Sequence, residues 1–148
     1  MDVFAIALPA LSDAWGLILQ PTVLGYLLLG VTMGIAIGIF PGLGGIAGLS
    51  LILPFMFGLD PIYGLSLMIG MVAVVPTSDT FASVLMGIPG SSASQATVLD
   101  GFPMAKKGLA ARALSAAFAS SLFGGIVGAL FLTVFILVAR PIVLEFKS

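Results

Sequence analysis

The sequence has 148 residues, of which 60% are hydrophobic and only 7% charged, against about 25% charged in an ordinary soluble domain. That surface deficit excludes a soluble enzyme domain and, with so many apolar residues, excludes disorder. Five Lys+Arg against six Asp+Glu also exclude a nucleic-acid binder, which needs a basic face.

The mean hydropathy of +1.29 places the chain among integral membrane proteins. The sequence contains no Cys and no His, so it offers no thiolate nucleophile, Cys/His zinc site or His-assisted serine. No charge occurs between Asp13 and Asp60 or between Arg112 and Arg140, and each gap exceeds the ~20 residues a spanning helix needs. No Lys or Arg precedes Lys106, so Met1–Ala10 lacks the positive region of a signal peptide and is expected to be retained.

Val3–Trp15 reads as a short interfacial helix with Trp15 at headgroup depth. Residues 21–40 form the first span, opened by Pro21 at a tolerated first-turn position. Gly30, Gly34 and Gly38 recur every four residues, a bare stripe that favours close helix packing over ligand contact. Pro41-Gly42-Leu43-Gly44-Gly45 then breaks the chain, and residues 41–60 are expected to hold this break and a half helix. Asp60-Pro61 marks a surface turn.

Residues 61–79 make a second span that runs into the polar run Thr77-Ser78-Asp79-Thr80. Residues 80–100 are expected to form re-entrant or half helices around a second break, Pro89-Gly90-Ser91-Ser92. Asp100 reads as a turn or cap, residues 101–112 as a loop with the cations Lys106, Lys107 and Arg112, and residues 113–139 as a third span that bends at Gly124-Gly125. Arg140 and Lys147 lie beyond it, so the positive-inside rule, three cations against two, orients the chain only weakly. The fold class is an all-α, polytopic membrane bundle with broken or re-entrant helices, forming a single transmembrane unit over 1–148.

Two Pro-Gly breaks supply half-helix N-termini, whose free N–H groups bind carboxylates or phosphates without Arg or Lys. Gly42, Gly44, Gly45, Gly90, Ser91 and Ser92 are therefore the candidate substrate-binding residues, with the Ser94 hydroxyl beside them. The alternative is a pair of ordinary surface loops. Asp79 is the one acid between long apolar runs. A carboxylate at membrane depth costs about 2.5–3.5 kcal/mol on insertion scales, which marks it for function. Thr77, Ser78 and Asp79 are the candidate cation-binding residues; alternatively Asp79 caps the helix that follows it. No catalytic or metal-cofactor residues are assigned. An intramembrane aspartyl protease would need two facing carboxylates, and Asp60 and Asp100 both read as interfacial.

Gly38-Ile-Phe-Pro-Gly-Leu-Gly-Gly45, Leu53-Pro54-Phe55 with Phe57-Gly-Leu-Asp-Pro61, Ile88-Pro-Gly-Ser91, and Ala96-Thr97 with Asp100-Gly-Phe-Pro-Met-Ala-Lys-Lys-Gly108 occur in this order. The series resembles the large membrane (permease) subunit of the tripartite tricarboxylate transporters, from about Val23 onward. The resemblance implies a secondary active transporter that imports carboxylates by symport with Na⁺ or H⁺. It implies a small membrane subunit and a periplasmic solute-binding protein as partners, and multi-pass residence in the bacterial inner membrane. It also implies that the chain is the amino-terminal portion of a longer permease, one half of an inverted repeat. The resemblance departs at Thr77-Ser78-Asp79-Thr80, where many members carry a tyrosine and a Gly-Gly-Ser run, so Asp79 stands on its own chemistry. The alternatives are a non-transporting membrane scaffold or assembly subunit, and a channel. No enzymatic activity is expected.

Overall fold

The computed structural model describes residues 3–145, all-helical and without strands among them. Six helices follow in order: α1 (Val3–Ile18), α2 (Pro21–Ile39), α3 (Gly44–Met56), α4 (Pro61–Met86), α5 (Gln95–Lys106) and α6 (Ala110–Glu145). Three are long and apolar enough to cross a bilayer, over Pro21–Ile39, Pro61–Met86 and Ala110–Ile136. Helices α3 and α5, at 13 and 12 residues, reach only about 18–20 Å and fall short of a span.

The scaffold is the α2–α4 pair, and the glycine stripe builds it. A Cβ at Gly30 would run into the Leu67 carbonyl, one at Gly34 into the Met71 carbonyl and one at Gly38 into the Ser78 hydroxyl. Gly70 on α4 answers with the same approach to the Leu27 carbonyl. Partners rise together along both helices, so α2 and α4 run parallel, backbone against backbone, as small-residue stripes allow. Helix α3 returns between them in the opposite sense: Gly48 packs on Ile37 and Met71, and Gly64 lies against Met56. Ile52, Leu67, Met71 and Val75 form the shared core. Tyr26 and Tyr63 stack at 5.0 Å across the pair.

Helix α4 continues past the boundary expected at residue 79 and ends at Met86. Neither Pro76 nor the polar run stops it. The Ser78 and Ser83 hydroxyls donate back to the Val75 and Asp79 carbonyls at 3.1 Å each, so these side chains spend their polarity on the helix itself. Asp60 caps the start of α4, its carboxylate accepting from the Ile62 N–H at 3.0 Å.

At its far end Gly87 takes a left-handed φ of +69° and turns the chain back alongside α4. Residues 87–94 descend without helix, and α5 then rises again, with Gly101 against Val84 and Phe102 against Gly87. The loop expected over 101–112 is therefore helical to Lys106, and Asp100 lies inside α5 rather than at a turn. Gly101 is a packing glycine; the turn glycine is Gly108, at φ +77°. Helix α6 runs antiparallel to α4, where Phe118 meets Phe81 at 5.3 Å, and it is helical through Gly124 and Gly125. It starts and ends outside the expected 113–139. Lys147 lies outside the described residues.

Leu122, Phe123, Leu130, Phe131 and Phe135 of α6 are largely exposed. So broad an apolar face is covered by lipid or by further protein.

Candidate functional site

The two Pro-Gly breaks meet beside Asp79. The first follows α2: Gly42 (φ +85°) and Gly44 (φ +59°) carry the chain through a left-handed turn that a side chain would strain. The second is the descending limb after α4. A Cβ on Gly44 would come within 3.9 Å of the Gly90 carbonyl, and one on Gly90 would lie 2.5 Å from the Asp79 Cβ. Gly90 is thus the residue that lets the second break lie flat on α4. The meeting point sits about 10 Å along α4 from its C-terminal end, given 1.5 Å per residue.

Asp79 is 1% exposed and faces this junction from within α4. It does not cap a following helix, because α4 runs on for two more turns. The Ser91 hydroxyl donates to its Oδ2 at 2.5 Å. Its Oδ1 is buried without a hydrogen-bond partner. Ser94 folds back onto Ser91: its hydroxyl donates to the Ser91 carbonyl at 3.0 Å and accepts the Ser91 N–H at 3.1 Å. Ser94 therefore gives α5 no side-chain cap, and the first-turn N–H groups of α5 stay free of one.

A half-open cavity of about 330 Å³ lies between α4, α5 and α6, walled by Asp79, Thr80, Ser94, Thr97, Ser120 and Ser121, with Pro76, Ala93 and Ala117. Among the described residues Asp79 is the only ionisable side chain in its wall.

Of the residues singled out in the sequence, Gly44, Gly90, Ser91 and Asp79 converge. Gly45 packs toward Val75, Gly42 has nothing near the position of a Cβ, and Ser92 is exposed. Ser78 turns away from the junction: it donates to the Gly34 and Val75 carbonyls inside the α2–α4 interface. Thr77 is half-buried and does not line the cavity. Thr97 stood out only within the Ala96-Thr97 pair of the resemblance, and Ser120 and Ser121 carried no sequence signal beyond being hydroxyls in apolar company. The fold sets the α6 serines Ser120 and Ser121 in the same cavity wall as Asp79. Among the described residues no cluster of His, Cys, Asp or Glu suits a metal cofactor.

A membrane protein with parallel spanning helices, two chain breaks and a buried acid at their junction has the build of a transporter. Residues 24–148 match the model of the family described as Tripartite tricarboxylate transporter TctA family. The chain belongs to that family, whose members are transporters rather than enzymes. It is also similar to a protein of Agrobacterium vitis named "Uncharacterized 52.8 kDa protein in TAR-I ttuC' 3'region", 33% identical over 116 residues. That alignment covers 78% of this chain and 23% of the relative, so the chain spans about a quarter of the relative's length. No solved structure matches the chain.

Proposed function

We propose that this chain is part of the large membrane subunit of a secondary carrier in the bacterial inner membrane. The carrier imports carboxylates of the tricarboxylate type, coupled to a cation. A small membrane subunit and a periplasmic solute-binding protein are its partners. The observation that carries this reading is the convergence of both chain breaks on Asp79.

In this reading Gly44 and Gly90, with Gly42 and Ser92 at the outer side, bring backbone N–H groups and a hydroxyl to a solute carboxylate, while Ser91, whose hydroxyl and N–H are taken by Asp79 and Ser94, holds the limb in place. Among the described residues no Lys or Arg lines the cavity beside them, so in this reading dipoles hold the solute. That arrangement has an electrostatic consequence. A solute carboxylate about 5 Å from an ionised Asp79 would be repelled by about 3 kcal/mol at an effective dielectric near 20. A cation at Asp79 removes that repulsion, so the two bind together or not at all. Such mutual dependence is what symport requires.

The test is uptake of radiolabelled citrate into proteoliposomes holding the full-length permease, its small subunit and the binding protein. Gly44→Leu places a side chain at a left-handed φ against the Gly90 carbonyl and is expected to abolish uptake while the protein still inserts. Ser50→Ala, on the exposed face of α3, is expected to transport normally. Normal uptake by Gly44→Leu overturns the placement of solute at the breaks.

A further inference from the structure

We propose that the cavity between α4, α5 and α6 is a sodium-type cation site, built by Asp79, Ser94 and Ser120. The proposal rests on the carrier reading but names a different place for the cation than the Thr77-Ser78-Asp79 run, since Ser78 is spent on α2.

The first observation is the orphaned oxygen. Asp79 Oδ2 is held by Ser91, whereas Oδ1 is buried with no partner, on a side chain that walls the cavity. A buried acceptor left unmade costs about 1–3 kcal/mol, and more when charged. The fold keeps this one, so a partner of opposite character is called for.

The second observation is the state of the hydroxyls. Ser120 donates its proton to the Ala116 carbonyl at 2.9 Å, and Ser94 donates its proton to the Ser91 carbonyl. Both oxygens therefore present lone pairs, and neither has a proton left for an anion. An unpaired carboxylate oxygen beside two serine oxygens whose protons are committed elsewhere attracts cations.

The third observation is charge. The uncapped N-terminus of α5 lies at the same cavity through Ser94 and Thr97 and carries about +0.5 of an elementary charge. It offsets part of an Asp79 charge and leaves about half of it. One monovalent cation is enough to balance the remainder, whereas a divalent ion would overshoot. The donors are oxygen only, the choice of hard cations. At about 330 Å³ the space takes such an ion with several waters rather than a bare one.

The site is shared by three helices, and the described residues of α6 beyond it are largely exposed. Cation binding would therefore tie α6 to the α4–α5 junction, and so link ion occupancy to helix position.

The experiment is binding of radioactive sodium to the purified full-length permease, with citrate uptake measured on the same preparations. Wild-type protein is expected to bind sodium saturably. Asp79→Asn is expected to lose that binding, and Ser120→Ala to weaken it several-fold. Ser120 is exposed, so its loss leaves the fold intact. Wild-type sodium affinity in both variants overturns the site. Failure of the wild type to bind sodium while it still takes up citrate also overturns the site, and leaves the carrier reading standing.

Discussion

The Ser91 hydroxyl donates to the Asp79 carboxylate across twelve positions of sequence, and this bond pins the descending limb after α4 to the helix it has just left, two turns before its end. It works with the Gly87 turn and the packing of Gly90 on Asp79 to hold residues 87–94 against α4. The bond also fixes which Asp79 oxygen remains free.

Replacing Ser91 by Ala removes the donor and leaves Oδ2 as a second buried acceptor without a partner. The expected loss is about 1–3 kcal/mol of stability, read as a lower unfolding midpoint in detergent. Ser91→Thr keeps the hydroxyl and is expected to restore most of it.

The α2–α4 pair predicts a contrast between two glycine sets. Gly34→Leu forces a side chain to within 2.5 Å of the Met71 carbonyl and Val74 Cγ1, on backbone that cannot retreat. It is expected to cost about 3 kcal/mol or more, since overpacking alone runs to about 1–3 kcal/mol and here two helix axes must separate. Gly128→Leu on α6 meets nothing within 4 Å and is expected to leave the unfolding midpoint of the described unit unchanged.

Gly87 predicts the cost of the turn itself. A Cβ there would lie 2.8 Å from the Phe102 ring at a φ of +69°. Gly87→Ala is expected to lose about 1–2 kcal/mol from the backbone, plus the displacement of Phe102 from beneath Lys106, whose ammonium sits 4.5 Å from the ring centre. The measurement is the unfolding midpoint together with protease sensitivity of residues 87–94.

What the sequence made legible follows from period and punctuation. The span opened by Pro21, the Gly30-Gly34-Gly38 packing face, the half helix after Gly44 and the Asp60 cap each follow from short-range rules that tertiary structure did not override. The polar run at 77–80 misled because polarity in an apolar chain looks like a helix end, whereas Ser78 and Ser83 satisfy themselves on the helix backbone. Asp100-Gly101-Phe102-Pro103 misled in the same way: its glycine answers Val84 across the interface, a requirement that lies in another helix. The junction of the breaks was legible only in its parts. Gly44, Gly90, Ser91 and Asp79 each stood out singly, but their meeting depends on the direction in which residues 87–94 turn. Thr97, Ser120 and Ser121 were illegible because their role is set by which helix lies opposite.

The most direct measurement is the rate at which a water-soluble maleimide labels Ser92→Cys in the full-length permease, in a cysteine-free background, with and without citrate and sodium together. Ser92 is exposed at the mouth of the second break. The account predicts rapid labelling that slows in a saturable way as solute and ion are added. Labelling at one unchanged rate across all solute and sodium concentrations would contradict it.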